Sequence, residues 1–363
     1  MSKKKKIIII VVVVVVAIII SAIIGFASFY IKSMEPTETS DESIIVNIPQ
    51  GSTSSEIGTI LKENNLIKNE FTFKIYTKLN DVSDMKAGQY QLNRAMSVSE
   101  IVECLQQGKN IVKDTVDVTF LEGKNMRWIA KKIANNTENS EDDVFNLLKD
   151  ENYLDSLINE YWFITDDIKN ENIYYSLEGY LFPDTYNIKI KASVQDIFKI
   201  MLDQMEQKLE PYKEEIENKG ISVHKLLTTA SIVEMEAAND EDRGSVASVI
   251  YNRLSNNMAI GSDVTTYYAI KVEPSERDLY KSELNDENAY NTRGPNMEGK
   301  LPVGPICSVG EASIKASLYP DETDYLYFVA DKNGKLYFAK TSEEHNNNIS
   351  KLQSEGLWYS YEN

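Results

Sequence analysis

The chain has 363 residues, with 38 Lys and Arg against 56 Asp and Glu, so that its formal net charge is -18, and it contains only two Cys and two His. This length fits about two domains, which can bury a core without help from disulfides or metals. So few Cys and His argue against a structural metal site, and the acidic balance argues against nucleic acid, whose phosphates are bound by patches of Lys and Arg.

The amino-terminal segment predicts a membrane anchor. Residues 3–6 are all lysine, and residues 7–31 form an apolar run that no charge interrupts. A helix needs about 20 such residues to cross a bilayer, and the core of a cleaved signal peptide, the main alternative, is shorter. By the positive-inside rule, residues 1–6 stay in the cytoplasm and the rest of this single-pass protein lies outside the cell membrane.

Removal of the anchor changes the charge balance of what remains. Residues 33–363 hold all 56 acidic residues and 33 of the basic ones, a formal charge of -23 (33 - 56). Residues 32–43 are polar and acidic without periodicity, which predicts a short solvated linker.

Residues 44–118 are predicted to form a small module. Its elements in chain order are a strand (IIVNIP), a helix (EIGTILKENNLI), a second helix (FTFKIYTKL), a strand (AGQYQL) and a helix (SVSEIVECLQQG). Ser97 or Ser99 is expected to cap the last helix and Gly108 to end it. Cys104 in that helix is interpreted as a small packed apolar residue, and a disulfide with Cys307 is the alternative.

The first strand, turn and helix of this module recur later in the chain. VTFLEGKNMRWIAKKIANN repeats the plan of VNIPQGSTSSEIGTILKENN, and Gly123 matches Gly51 while Ile129 matches Ile57, each 72 residues later. Such β-turn-α units indicate a small module of the kind that binds cell-wall glycans. The alternative is that similar local physics produced similar patterns without a shared function.

Residues 119–363 are predicted to form a larger mixed domain, which makes the chain an α+β protein. Pro183-Asp184 marks a turn, and Asn333-Gly334 marks the turn of a strand pair. The strongest helical patterns are SEDDVFNLLKDENYLDSL, VQDIFKIMLDQMEQKLEPY, VHKLLTTASIVEMEA and GSVASVIYNRLSNN, and RGPNMEGKLPVGPICSVG is typical of a loop.

The chemistry is expected to come from carboxylates, because no GxSxG, GxxxxGK[ST] or HExxH motif is present. His345 could act as a base, although a structural role suits its context better. Glu234 ends an apolar helical stripe with Leu227 and Ser231, and burial there would raise the pKa of its carboxyl, as suits a general acid. The alternative is that Glu234 begins the solvated part of the helix.

A second carboxylate would have to come from elsewhere in the chain. Glu236 points to nearly the opposite side of a regular helix from Glu234, so the two cannot share a site. The sequence context favours Glu178, Asp184 or Asp263 as the partner in a glycosidase-type pair.

Seven segments together resemble the YceG-like endolytic murein transglycosylases, as do the membrane anchor and residues 88–92. The resemblance extends from residue 44 to about residue 352, and the segments follow the order seen in that family: LEGYLFPDTY, ASIVEMEA, VASVIYNRL, SDVTTYYAI, AYNTRG, LPVGPI and YLYFVADKNGKLYF.

The resemblance implies a membrane-anchored lytic enzyme that cuts peptidoglycan glycan strands between N-acetylmuramic acid and N-acetylglucosamine. It implies 1,6-anhydromuramoyl ends, no metal or organic cofactor, a LysM-like small module and a YceG-like catalytic domain. It also implies action beside penicillin-binding synthases, limiting the length of nascent strands.

The same resemblance implies roles for individual residues. Glu234, the first Glu of the SIVE segment, would be the catalytic acid. Asp263, Tyr290 and Asn291 would contact substrate or stabilise the transition state. Glu178 and Asp184 would bind substrate, orient Glu234 or hold the fold.

The chain departs from the family pattern in one loop. Residues 304–310 read GPICSVG where the family reads GPI-x-NPG. If the family's Asn contacts the glycan, Ser308 would supply a shorter and weaker contact, which puts substrate preference or rate in doubt. Two other functions are weighed against the lytic one: a muramidase that hydrolyses the same bond, and a non-catalytic glycan-binding scaffold of the wall-synthesis machinery.

Overall fold

A computed structural model describes residues 3–39, 42–111 and 114–358, with side chains from residue 8 onwards. All side chains of the predicted cytoplasmic stub, residues 1–6, therefore lie outside the described part of the structure. The chain divides into two compact units, residues 1–114 and 115–363, and each is considered by itself.

The apolar run forms one long helix, α1 (Lys3–Met34). Its segment Ile8–Met34 contains an 18-residue stretch with a mean hydropathy of 3.5 and no buried residue, so it is long and apolar enough to cross a membrane. The helix therefore suggests a membrane anchor.

The rest of the small unit packs three helices around a two-stranded antiparallel sheet, as expected. Ser43 lies opposite Asn93 and Ile48 opposite Gly88. Capping boxes at Thr53 and Ser97 start two of the helices. The elements are β1 (Ser43–Ile48), α2 (Ser54–Glu63), α3 (Glu70–Leu79), β2 (Gly88–Asn93) and α4 (Val98–Gln107).

The segment that follows α1 lies against the small unit, which differs from the solvated linker that its polarity predicts. Ser33 is buried. The backbone N–H of Thr37 donates to the carbonyl of Arg94 at 3.1 Å, and its hydroxyl donates to the carbonyl of Asn65 at 2.7 Å. The polar composition of this segment could not predict its contact with the small unit, because backbone groups make most of the hydrogen bonds.

The large unit is a mixed α+β structure built from two separate antiparallel strand pairs and many helices, which confirms the predicted class. Two 3-10 turns, Asp166–Lys169 and Glu210–Tyr212, join its elements. The strands are β3 (Thr115–Thr119), β4 (Thr185–Lys189), β5 (Tyr327–Ala330) and β6 (Leu336–Ala339). The helices are α5 (Met126–Asn136), α6 (Glu141–Leu147), α7 (Glu151–Glu160), α8 (Val194–Leu209), α9 (Lys213–Lys219), α10 (Val223–Glu236), α11 (Asp240–Ser255), α12 (Asp263–Ala269), α13 (Lys281–Leu284), α14 (Glu311–Leu318) and α15 (Ser342–Ser354).

The predicted repeat is present in the local structure. Gly51 and Gly123 both have positive φ, +82° and +70°, at the turn between strand and helix. The repeat ends there, because β1 pairs with the nearby β2 whereas β3 pairs with β4 from much later in the chain. Since β3 belongs to the large unit, that unit begins at residue 115, inside the segment that the sequence assigned to the small module.

Helix α10 lies in the middle of the large unit. Every residue from Leu226 to Val233 is buried, and the helix contacts α11, α12 and α14. Its first half packs in one apolar cluster and Ile232 and Val233 pack in a second. A helix that is buried on every side is held in place by its neighbours, so the position of its last turn is well defined.

Gly179, in the segment LEGYLFPDTY, packs closely against Pro305 in the segment LPVGPI. Its φ is +78°, and a Cβ atom at this position would overlap with the side chain of Pro305. We expect Gly179→Ala to lower the free energy of unfolding by about 2–5 kcal/mol, because left-handed strain and overpacking add. Urea unfolding tests this. Gly220→Ala is the matched control, since Gly220 has φ +61° but open space around it, and an equal loss in both variants would contradict the packing argument.

Candidate active site

Glu234 lies in the last turn of α10 with its side chain only 6% exposed. One carboxylate oxygen accepts a hydrogen bond from Nη1 of Arg243 at 3.2 Å, and the other accepts one from the backbone N–H of Gly310 at 3.0 Å. The sequence predicted only the apolar face of the helix, and neither partner of Glu234 was expected from it.

Arg243 connects three helices through this contact. Its Nε donates to Asp240 at 2.9 Å on its own helix, α11, and its Nη1 donates to Ser313 on α14 at 2.5 Å. Gly310 caps the start of α14. The Glu234–Arg243 ion pair therefore holds the end of α10 against α11 and α14.

Glu122 adds a further carboxyl to this cluster. Its carboxylate lies so close to Gly310 that a Cβ atom there would collide with it. Partial burial raises the pKa of Glu122, the negative charge of Glu234 raises it further, and Arg243 opposes both. Glu122 was not singled out from the sequence, and the only local signal was its place before Gly123 in the repeated turn.

Glu236, two residues after Glu234, faces a different set of partners, as the helical geometry requires. Its Oε1 accepts a hydrogen bond from the Ser262 hydroxyl at 2.5 Å. Burial raises the pKa of Glu236, the negative charge of Asp263 adds to the shift, and Arg293 opposes it. A recessed carboxyl with a raised pKa is suited to general acid catalysis.

A cavity of about 450 Å³ lies beside Glu236. Its wall combines polar groups with an extensive apolar surface, which is the usual composition of a small-molecule site. The polar and aromatic lining residues are Glu236, Ser262, Asp263, Arg253, Arg293, Tyr327, Phe328, His345 and Trp358. Glu234 is not among the lining residues.

Asp263 is the predicted site residue that the structure brings to this cavity. It forms an ion pair with Nε of Arg293. The backbone N–H of Ser262, next to it, donates to the Thr292 hydroxyl at 3.0 Å, which joins the start of α12 to the AYNTRG segment. Ser262, Asp263 and Arg293 therefore line the cavity together, and Thr292 is buried behind them.

Tyr290 and Asn291 are fully buried behind that wall. The Tyr290 ring packs against Tyr174 and Tyr268 at centroid distances of 4.8 and 4.7 Å. The Asn291 side chain accepts from the Thr266 hydroxyl at 2.6 Å and donates to backbone carbonyls, including that of Asp286 at 2.8 Å. These contacts support a role for both residues in holding the segment in place.

Glu178 is also buried, beneath the start of α5. Its Oε2 accepts hydrogen bonds from the backbone N–H of Met126 at 2.9 Å and from the Tyr268 hydroxyl at 2.8 Å, whereas its Oε1 has no partner among the described residues. Burial raises the pKa of Glu178 to about 7. These contacts support a structural role, and the burial of Glu178 becomes costly once its carboxyl ionises.

The pKa of Glu178 predicts a dependence of stability on pH. Between pH 4.5 and about 7 the folded chain keeps this proton while the unfolded chain loses it, so the free energy of unfolding falls as the pH rises through that window. We expect a loss on the order of 3 kcal/mol from this group in urea unfolding, and a flatter profile for Glu178→Gln. Asp184→Asn, an exposed carboxyl in the same segment, is the control. An unchanged profile in Glu178→Gln would contradict the assignment.

The structure does not bring Asp184 to either glutamate of α10. Its side chain is exposed and accepts a hydrogen bond from the backbone N–H of Thr185 at 2.7 Å and a long one from Gln204 at 3.4 Å. No hydrogen bond or ion pair within the described ranges links it with Glu234 or Glu236. These contacts support a local structural role.

The loop that departs from the family pattern is buried. Ser308 is 1% exposed, and its backbone N–H donates to the carbonyl of Lys124 at 2.8 Å, so it offers no side chain to a ligand. Cys307 is a free thiol that donates to the carbonyl of Ser231 at 3.4 Å, and Cys104 is free as well. The loop's contact with the α10 carboxyls is the Gly310 N–H.

His345 belongs to the cavity wall. Its ring stacks on Tyr327 at a centroid distance of 5.4 Å, and burial lowers the pKa of the imidazole. Its sequence context, after a strand, gave no sign of this position. Among the described residues no group of three His, Cys, Asp or Glu is arranged to hold a metal.

Comparisons with known proteins match nearly the whole chain. The YceG-like family model matches residues 46–351. A Bacillus subtilis protein named endolytic murein transglycosylase is 42% identical over 328 residues, which is 89% of each chain. A Streptococcus pneumoniae protein of the same name is 31% identical over 334 residues, 89% of this chain and 61% of that longer one.

A solved structure agrees with these matches. The crystal structure of a yceG-like protein from Listeria monocytogenes is 38% identical, with a TM-score of 0.60, and the match covers 85% of this chain and all of that one. Sequence and fold therefore lead to the same result: this chain belongs to the YceG-like family.

Proposed function

We propose that this protein is a lytic transglycosylase that cleaves the β-1,4 bond between N-acetylmuramic acid and N-acetylglucosamine inside peptidoglycan glycan strands. Membership of a family whose relatives are named endolytic murein transglycosylases supports the reaction class. The observation that carries the site is the recessed carboxyl of Glu236, which lines a cavity together with other polar groups and with aromatic side chains.

The reaction needs one carboxyl that gives and then takes a proton. The acid protonates the glycosidic oxygen, and the bond between that oxygen and C1 of the muramoyl residue breaks. The resulting carboxylate then accepts the proton of the 6-hydroxyl, whose oxygen bonds to C1 and forms the 1,6-anhydro ring. No water is consumed, and the carboxyl regains its proton.

Glu236 fits this role better than Glu234, the residue expected from the sequence. Its hydrogen bond from Ser262 leaves the other oxygen available, and burial favours the protonated form. Both oxygens of Glu234 are occupied, by a guanidinium and by a backbone N–H. Asp263, Ser262 and Arg293 would contact the sugars, and Glu234 would hold the end of α10.

The proposal includes a place in the cell. Helix α1 would cross the cell membrane once, with residues 1–6 in the cytoplasm and residues 32–363 outside. The small unit would be a LysM-like module that holds the glycan strand. Action beside penicillin-binding synthases, where nascent strands emerge, would let the enzyme limit their length.

Isotope labelling tests the reaction class. Uncrosslinked glycan strands are digested by the full chain in H₂¹⁸O, and the new ends are analysed by mass spectrometry. A lytic reaction gives 1,6-anhydro ends without ¹⁸O. A muramidase would give reducing ends that carry one ¹⁸O, and a non-catalytic scaffold would give no new ends, so either result would overturn the proposal.

A further inference from the structure

Helix α3 of the small unit carries an apolar stripe on its outer side. Phe71, Ile75 and Leu79 follow each other at intervals of four residues and so share one face. Phe71 is 60% exposed and Leu79 is 71% exposed, while Phe73 on the other side of the helix is fully buried in the unit's core. Large apolar side chains so exposed and so aligned are typical of an interaction surface.

Lysines flank this stripe. Lys74 and Lys78 are both exposed and lie next to it, at the positions before Ile75 and Leu79. The acidic residue of the helix, Glu70, accepts a hydrogen bond from the Thr59 hydroxyl at 3.3 Å. Large apolar residues with lysines beside them are the pattern of helices that lie in the plane of a membrane surface.

The end of α1 lies against α3. The two helices are in contact, Ser33 is buried, and Met34 packs against the small unit's core. The ammonium of Lys68, just before α3, donates to the carbonyl of Lys32 at 3.0 Å. The apolar run ends at Ile31, and a helix rises about 1.5 Å per residue, so these contacts lie within about 5 Å of the end of the run.

Because the end of α1 lies against α3, we propose that α3 lies in the headgroup layer of the membrane. Phe71 and Leu79 would insert among the lipids, and Lys74 and Lys78 would contact the lipid phosphates. The inference rests on the proposed anchoring by α1 and extends it. The small unit is then held on the bilayer surface by two elements, and the strand that it binds is kept close to the membrane. The partner is the lipid surface itself, and negatively charged lipids strengthen the contact.

The test uses the full chain in vesicles of phosphatidylglycerol and phosphatidylcholine. Cys104 and Cys307 are both buried, so a single introduced cysteine can be labelled selectively with an environment-sensitive fluorophore. Phe71→Cys and Leu79→Cys report on the stripe. Ile45→Cys is the matched control, because Ile45 is 62% exposed but lies on β1. Ala22→Cys reports on α1.

Lipids with nitroxides near the headgroup should quench the probes at positions 71 and 79 severalfold more than the probe at position 45. The quenching should fall when phosphatidylglycerol is omitted and in the Lys74→Glu, Lys78→Glu double variant. If deep nitroxides quench position 22 while positions 71 and 79 respond no more than position 45, the surface contact is wrong although the anchor is right. If position 22 is not quenched either, the anchoring fails and this inference fails with it.

Discussion

Replacement of Glu236 by glutamine is expected to lower kcat by about 10²–10⁴-fold on glycan strands, with little change in KM. The glutamine carbonyl can still accept the hydrogen bond that Ser262 donates to Oε1, so the shape of the cavity is kept. What the variant loses is the proton that the leaving oxygen requires. The measurement is the initial rate of 1,6-anhydro end formation, together with a circular dichroism spectrum that confirms folding.

Glu234→Gln is the comparison that decides between the two glutamates. Glutamine keeps the acceptor for the Gly310 N–H but loses the ion pair with Arg243, so we expect a stability defect and a much smaller fall in kcat. If Glu234→Gln removes activity and Glu236→Gln retains it, the sequence-based assignment of Glu234 is right and the geometric argument is wrong.

The pH dependence of the rate provides an independent check on Glu236. Burial and Asp263 raise the pKa of this carboxyl above 4.5, against the opposing charge of Arg293. Because the acid must be protonated, kcat/KM should fall as the pH rises through a limb that lies above 4.5. Asp263→Asn should move the limb to lower pH, and a limb that does not move would contradict the proposed coupling.

The second large effect concerns stability. Arg243→Met removes the cation from a Glu234 carboxylate that is only 6% exposed, and it leaves that charge with the Gly310 N–H as its described partner. We expect a loss of about 3–5 kcal/mol in the free energy of unfolding, because a buried carboxylate without its counter-ion is strongly disfavoured. Urea unfolding of the full chain in detergent measures it.

A solvated ion pair of the same unit serves as the control. Lys208 and Glu311 are paired at 2.7 Å, but their side chains are 32% and 46% exposed. Lys208→Met should therefore cost only about 0–1 kcal/mol. The double variant Glu234→Gln, Arg243→Met should recover part of the loss, and equal losses in Arg243→Met and Lys208→Met would show that burial does not govern the pair.

Much of the secondary structure could be predicted because it depends on neighbours in the chain. The capping box at Ser97 and the left-handed Gly108 at +69° are set within a few residues, and both were expected. The strand pair around Gly334 is similarly local. The predicted helix over SEDDVFNLLKDENYLDSL is wrong in one respect, since α6 and α7 are separate and Asp150 caps the second.

Among the site residues, the sequence determined which residue types were available and the tertiary structure decided how they are used. Length, composition and the order of the motifs led to the family and to carboxylate chemistry, because these depend only on which residues follow each other. They assign the acid to Glu234, whereas the contacts of the two side chains support our proposal of Glu236. That distinction depends on Arg243, Gly310 and Ser262, whose positions relative to α10 are decided by the packing of helices that are distant in sequence.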